Sequence, residues 1–329
     1  MSHTLGWKGK TMKTKCLLMV ALLVLFSGSL LSAASDPKFL AIGTAGAGGA
    51  YYPIGIALAD IITNKLNIQT TAQITGGAIE NNTLINNKTN DLAITINFLA
   101  YFARNGMPPY KAKLENVYGM FSGLSKGVFQ VVVDKSSPIK SIKDLKGKRV
   151  SLGPAGGGGI QQFLHVIQAY GFGEKEFKAV YQSYEQSADA LADGNLDAIV
   201  VQAPVPTPAL IQLAATKKPV RYISIEDKMM QELTKKYPFM TPITLPKDMY
   251  KTDEPVKTLY TQNVVIVNKD LSTDLVYRIT KELFDNTTKI RDSHPSCKDF
   301  DVAGAVVGLP IPYHPGAVKY FKEKGLTIK

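Results

Sequence analysis

The chain has 329 residues, and its 38 Lys and Arg against 27 Asp and Glu give a formal net charge of +11. That length is enough for one large or two modest domains with complete cores. The basic residues are scattered along the chain without a long run, a pattern that argues against nucleic-acid binding.

The first residues have the pattern of a secretion signal. Four lysines precede the unbroken apolar run Cys16–Phe26, which is short for a membrane span. Ser32, Ala33 and Ala34 then place small residues where signal peptidase cleaves. We therefore predict a signal peptide at residues 1–34 and a periplasmic mature chain. The alternative is an uncleaved anchor that continues through Leu31.

After this segment, strand-like and helix-like patterns alternate. The predicted strands are Phe39–Ile42, Thr70–Ile74, Asp91–Ile96, Val128–Val133, Arg149–Leu152, Ala198–Val201, Val220–Ile225 and Val264–Val267. The predicted helices are Tyr52–Leu66, Glu80–Asn87, Ile160–Tyr170, Ser187–Asp193 and Thr273–Thr288. Such alternation predicts an α/β protein with mostly parallel sheets.

A glycine-rich loop joins the first strand to the first helix. Its predicted ligand contacts are Gly46, Gly48, Gly49, Tyr51 and Tyr52. The glycines allow the backbone to approach a ligand, the tyrosines can stack on it, and the N–H groups of the helix start can bind an anion. The alternative is a tight turn without a ligand. The spacing matches neither a dinucleotide fingerprint nor a nucleotide-triphosphate loop.

Two further loops have the same character. After the second strand come Gly76, Gly77 and Ala78, with Asn81 and Glu80 beside them, although an ordinary capped helix would look similar. In the second half, the run Gly156–Gly159 again lies between a strand and a helix. Ligands of open α/β sheets bind outside the carboxyl ends of the strands, so we expect these loops to face each other across a cleft between two lobes.

No catalytic set is apparent. His165 falls within a helix pattern and is expected to pack rather than to bind a ligand, and the histidine spacings do not predict a zinc site. Cys297 is the only cysteine left after cleavage, so no intramolecular disulfide can form. The glycine loops contain no acidic side chain except Glu80, and this near absence of negative charge suits an anionic ligand. We predict no enzyme activity, no metal and no cofactor.

The mature chain resembles the TAXI family of solute-binding proteins, which serve tripartite ATP-independent periplasmic (TRAP) transporters. The segments that carry the resemblance are Gly43–Gly55, Thr75–Asn81, Asp144–Gly153, Asp193–Ala198 and Tyr313–Ala317, followed by Tyr320 and Glu323–Gly325. They occur in family order and at family-like spacing. The chain departs from the family at Ile96–Phe98 and Gly157–Gly159, where members often carry polar side chains.

The resemblance implies an α/β, two-lobed periplasmic-binding-protein fold of the second type, with a ligand cleft between lobes joined by hinge strands. Residues 35–130 and 264–329 would form lobe 1, and residues 131–263 would form lobe 2. The ligand would be a small anionic solute such as glutamate, glutamine or 2-oxoglutarate, delivered by a monomer to the membrane subunits of a TRAP-type transporter. The alternatives are a periplasmic enzyme on the same fold, or a sensor-coupled or surface-antigenic binding protein without transport.

Combining the loops with this fold gives a set of contacts on both sides of the cleft. From lobe 1 we predict Gly46, Gly48, Gly49, Tyr51, Tyr52, Gly76, Gly77, Ala78, Asn81 and Asn97. From lobe 2 we predict Gly156, Gly157, Gly158, Gly159, Gln202 and Pro204. His314 is expected to position the C-terminal helix.

Overall fold

The computed structural model describes residues 1–3, 36–216 and 218–328. The basic and apolar parts of the predicted signal peptide lie outside the described residues, so the signal peptide stays a prediction. From Pro37 onward the chain forms one compact unit. None of the helices in the described ranges is long and apolar enough to cross a membrane.

The described chain alternates strands and helices, as the sequence predicts. The strands are β1 (Phe39–Gly43), β2 (Gln69–Gln73), β3 (Leu92–Ile96), β4 (Val117–Asp134), β5 (Arg149–Ser151), β6 (Lys178–Val180), β7 (Ala198–Pro204), β8 (Val220–Tyr222), β9 (Thr241–Leu245) and β10 (Val256–Asn268). The α-helices are α1 (Tyr51–Leu66), α2 (Ala78–Asn86), α3 (Asn97–Asn105), α4 (Gly159–Ala169), α5 (Tyr184–Ala192), α6 (Pro208–Ala215), α7 (Asp227–Lys236), α8 (Thr273–Asp285), α9 (Thr287–Ser293) and α10 (Pro315–Glu323).

Two sets of parallel strands are joined through two long antiparallel strands. The order is β2-β1-β3-β10-β4-β7-β5-β6, with β8 beside β4 and β9 beside β10. The sets β1–β3 and β5–β7 are parallel within themselves, whereas β4 and β10 pair antiparallel with each other and with their neighbours. The expectation of a mostly parallel arrangement therefore holds within each set and is wrong for the strands that connect them.

The buried apolar residues divide between the two sets, which makes the fold two-lobed. Lobe 1 surrounds β1–β3 and buries one large cluster that includes Phe121 of β4 and Val265 of β10. Lobe 2 surrounds β5–β7 and buries clusters that include Phe129 of β4 and Leu259 of β10. Each connecting strand thus begins in one core and ends in the other. The lobe boundaries at 130/131 and 263/264 stay predictions.

Candidate ligand-binding site

A cavity of about 200 Å³ lies between the two lobes. Its lining comes from the loops that follow β1, β2 and β5, from the start of α5 and from the end of β7. The lining residues are Ala45, Gly46, Gly49, Ala50, Tyr51, Ile74, Thr75, Gly76, Gly77, Ala78, Pro154, Gly157, Gly158, Ser183, Tyr184, Glu185, Gln202, Ala203 and Pro204. The site therefore lies outside the carboxyl ends of the parallel strands, as expected for an open α/β sheet.

Four helices begin at this cavity. The residues immediately before α1, α2, α4 and α5 all belong to its lining, and these are Ala50, Gly77, Gly158 and Ser183. The first N–H groups of a helix have no partner within the helix, and the helix dipole adds a partial positive charge there. Four such ends bring the partial positive charges of four helix dipoles to the cavity, and its described lining contains no basic side chain.

Tyr51 connects the cavity to the strands that join the lobes. Its hydroxyl donates a hydrogen bond of 2.6 Å to Asn263 Oδ1, and Asn263 Nδ2 donates to Ser125 Oγ at 2.9 Å. Asn263 lies on β10 opposite Ser125 on β4, next to a shift in the strand register. Burial raises the pKa of Tyr51 well above its usual value. The phenol is therefore neutral and acts as a hydrogen-bond donor.

Tyr184 forms the facing wall from lobe 2. Its hydroxyl donates to the carbonyl of Gln202 at 3.0 Å and accepts from the N–H of the same residue at 3.2 Å. Burial raises the pKa of Tyr184 to about 12. The side chain of Gln202 donates to Thr261 Oγ1 at 3.1 Å, so lobe 2 is also tied to β10 beside the cavity.

Glu185 is the one formally charged side chain among the described residues of the lining. It is half-buried in the first turn of α5, and its carboxylate lies beside Gly48 of lobe 1. A second carboxylate lies close by, because Glu80 Oε2 accepts a 2.6 Å hydrogen bond from the N–H of Gly76. The sequence pattern does not indicate Tyr184 and Glu185 as contacts, because they belong to a helix that follows a short strand, without a glycine motif.

The cavity brings together ten of the predicted contacts. These are Gly46, Gly49, Tyr51, Gly76, Gly77, Ala78, Gly157, Gly158, Gln202 and Pro204. The other six, Gly48, Tyr52, Asn81, Asn97, Gly156 and Gly159, lie outside the lining.

The two predicted asparagine contacts bond to the protein itself. Asn81 is fully buried, its Nδ2 donates to the carbonyls of Thr44 and Ile94 at 2.7 Å, and its Oδ1 accepts from Thr75 Oγ1. Asn97 donates to the carbonyl of Gly308 at 3.1 Å and accepts from the N–H of Phe98. Asn81 thus fastens three segments of lobe 1 behind the cavity wall.

The glycine runs let the two lobes approach each other closely. The carbonyl of Gly156 accepts hydrogen bonds from the N–H groups of Ile79 (2.8 Å) and Glu80 (3.3 Å) at the start of α2. A Cβ at Gly158 would also meet lobe 1, because it would lie 2.2 Å from Ile96 Cδ1. A Cβ at Gly157 would instead meet Pro154 of its own loop. The two lobes are therefore in contact in this structure, and the loop Gly156–Gly159 contacts the opposite lobe as well as the cavity.

An aromatic cluster covers the same interface outside the cavity. Phe98 of α3 stacks on Phe239 with 4.4 Å between ring centroids, and Phe98 and Phe102 also contact the ring of His165 on α4. His165 stacks on Tyr237 at 4.4 Å. Burial, helped by the charge of Lys236, lowers the pKa of His165 to about 4. As predicted, this histidine is a packed residue.

Replacing His165 by phenylalanine is expected to reduce the acid sensitivity of the fold. The folded pKa lies near 4 and the unfolded pKa near 6.5, so the unfolded chain takes up a proton as the pH falls and the folded chain does not. This linkage removes about 2 kcal/mol of unfolding free energy between about pH 7 and pH 5 in the wild type. Urea unfolding at both pH values measures it. An equal loss in wild type and variant would contradict the assignment.

His314 and Cys297 are buried in the protein outside the cavity. The His314 ring accepts from the N–H of Gly316 at the start of α10 and lies within 3.0 Å of the Leu271 carbonyl, so it positions the C-terminal helix as predicted. Cys297 is buried, and burial raises the pKa of its thiol to about 12. Among the described residues no cluster of His, Cys, Asp or Glu could hold a metal ion.

Several solved structures are similar to this chain. PhnD1 from Prochlorococcus marinus, in complex with methylphosphonate, has a TM-score of 0.50 at 17% identity over 80% of this chain and 92% of that chain. The binding protein component of a phosphonate ABC transporter from Pseudomonas aeruginosa has a TM-score of 0.49 at 14% identity, over 79% of each chain. The periplasmic aliphatic sulphonate-binding protein SsuA from Escherichia coli has a TM-score of 0.45 at 14% identity, over 88% of this chain and 84% of that chain.

The match to PhnD1 supports the two-lobed α/β fold and, at this identity, nothing finer. The sequence itself gives the family. Residues 42–325, which include every element from the first glycine loop to the C-terminal helix, match the NMT1-like family. The chain therefore belongs to the NMT1-like family.

Proposed function

We propose that this protein is an extracytoplasmic receptor that captures a small solute and delivers it to a membrane transporter. The observation that carries the proposal is a cavity lined by both lobes, at which four helices begin. A solute held there would contact both lobes at once and so stabilise the closed arrangement, which a membrane partner can recognise.

The lining supports a solute that carries both a negative and a positive charge. The four helix starts favour a carboxylate, whereas the carboxylate of Glu185 favours an ammonium group in the same cavity. Tyr51, Tyr184 and Ile74 provide apolar surface for a short aliphatic part. At about 200 Å³ the cavity is smaller than the roughly 300–1,000 Å³ typical of drug-sized ligands. Within the predicted class, the Glu185 carboxylate favours amino acids such as glutamate or glutamine over 2-oxoglutarate, which has no ammonium group.

The proposed partner is the membrane part of a TRAP-type transporter, and the proposed subfamily is TAXI. Five sequence segments in family order support this assignment, and they include the two lobe 1 glycine loops that line the cavity, Gly43–Gly55 and Thr75–Asn81. The solved structures with a similar fold include a component of an ABC transporter. A transport assay with the neighbouring membrane genes, with and without ATP depletion, would separate the two kinds of system.

Thermal-shift measurements on the mature chain, unfolded and refolded to remove any copurified solute, test the ligand class. L-glutamate or L-glutamine is expected to raise the melting temperature more than 2-oxoglutarate, because a ligand that binds only the folded state stabilises it. In Glu185→Gln the affinity for the amino acid should fall about tenfold, and that for 2-oxoglutarate should not fall.

Glu232→Gln is the matched control, because Glu232 is an exposed carboxylate on α7 of lobe 2, away from the cavity. It should bind like the wild type. A Glu185→Gln protein that keeps full preference for the amino acid would contradict the ammonium contact. The absence of a shift with any anionic or zwitterionic metabolite would contradict the receptor itself.

A further inference from the structure

Gln162 on α4 is a buried amide without hydrogen bonds. Its side chain is fully buried, and neither Nε2 nor Oε1 has a partner. Gln182 Nε2 is also unpartnered, but that residue is only half-buried. The other amide residues that are buried as a whole and have an unpartnered atom each keep at least one bond: Asn82 donates to Thr95, Asn90 to Gln73 and Gln130 to Thr207. Among the described residues, Gln162 is therefore the one buried amide with neither end bonded.

The helix places Gln162 on the face of α4 that meets lobe 1. Gly158 lies four residues before it and His165 three residues after it, so the three positions share one helix face. Ile96 and Leu99 of lobe 1 lie against Gly158, and Phe98 and Phe102 lie against His165. The core of lobe 2 contacts the adjoining side of the helix, through Phe163, Val166 and Ile167.

On this face, closure of the lobes would remove water from the amide without replacing its hydrogen bonds. A buried polar group that loses water and gains no partner is unfavourable by the free energy of its lost hydration. When the lobes separate, the face that carries Gln162 returns to water. The aromatic stack of Phe98 on Phe239 acts in the opposite direction, because it buries apolar surface only while the lobes are together.

We propose that Gln162 sets the balance between the open and closed receptor by disfavouring closure. This inference rests on the proposed function, a receptor that closes on its solute. The free energy lost at Gln162 must come from solute binding, so the empty receptor stays open and the loaded one closes. The apparent affinity is reduced in proportion to the fraction of empty receptor that can adopt the closed form.

Gln162→Met tests the proposal, because methionine keeps the length and unbranched shape of the side chain and removes the amide. The empty variant should be more compact than the empty wild type by small-angle X-ray scattering, and should bind L-glutamate or L-glutamine about tenfold more tightly by calorimetry. Gln162→Glu buries a charge instead and should weaken binding. Gln231→Met, at an exposed glutamine of α7, should change neither quantity.

The scattering measurement needs no ligand, so it separates this inference from the proposed ligand class. If no tested solute binds but empty Gln162→Met is more compact than empty wild type, the ligand class fails and the role of Gln162 stands. If Gln162→Met only raises the unfolding temperature, with unchanged radius of gyration and affinity, then Gln162 is a poorly placed core amide and the proposal is wrong.

Discussion

Replacing Gly156 by valine is expected to weaken solute binding about 100-fold while leaving the melting temperature of the empty protein nearly unchanged. A Cβ at this position would lie 2.9 Å from Glu80 Cβ and 3.1 Å from the carbonyl carbon of Gly76. The carbonyl carbon of Gly76 belongs to the backbone, so it cannot move away by a rotamer change as a side chain can. The valine would hold the lobes apart and break the bond from Ile79 N–H to the Gly156 carbonyl.

Isothermal calorimetry measures the affinity, and scattering with saturating solute shows whether the lobes still close. Gly173→Ala is the matched control, because Gly173 lies in lobe 2 with a negative φ and a Cβ there would meet no atom within 4 Å. It should bind like the wild type. Wild-type affinity in Gly156→Val would show that solute binding does not require the contact between the loop Gly156–Gly159 and lobe 1.

Replacing Asn81 by alanine is expected to lower the free energy of unfolding by about 3 kcal/mol. The change removes donors to two buried carbonyls, those of Thr44 and Ile94, and the acceptor of the Thr75 hydroxyl. Alanine cannot replace these bonds, and the carbonyls stay buried beside a small void. Urea unfolding of the empty protein measures the loss.

Asn105→Ala provides the comparison, since Asn105 is exposed at the end of α3 and its single bond, to the carbonyl of Tyr101, lies at the surface. Its unfolding free energy should change by less than about 1 kcal/mol. An Asn81→Ala protein that kept its stability and lost solute binding would support the direct ligand contact predicted from the sequence.

Much of the fold follows from local patterns. The glycine runs before α1 and α4 each fall between a strand and an amphipathic helix, and this spacing predicts two of the three glycine loops that line the cavity. The apolar pattern predicts only part of β4 and β10, because polar residues near the crossing, such as Ser125 and Asn263, interrupt it. Those residues are paired with each other across the strands, a long-range contact that a local pattern does not contain.

The sequence predicts only part of the site, because a local pattern does not contain the long-range contacts that complete the cavity. A glycine loop indicates close approach of the backbone, but not whether a solute or another part of the chain approaches it. Gly156 contacts α2 of the opposite lobe, whereas Gly157 lines the cavity, and the two are adjacent in the sequence. Tyr184 and Glu185 reach the cavity only because β5 and β7 place α5 at the cleft, and that placement depends on the assembled sheet.

The pairing of β3 with β10 has a consequence for the order in which the chain can fold. Thr95 pairs with Val264, so lobe 1 lacks one of its central strands until almost all of lobe 2 has been synthesised. The segments of lobe 2 between β4 and β10 are contiguous and can pair without waiting. Non-local pairing is slow because the intervening loop must first be closed. We therefore expect lobe 2 to gain protection from hydrogen exchange first during refolding, and β3 to gain it last.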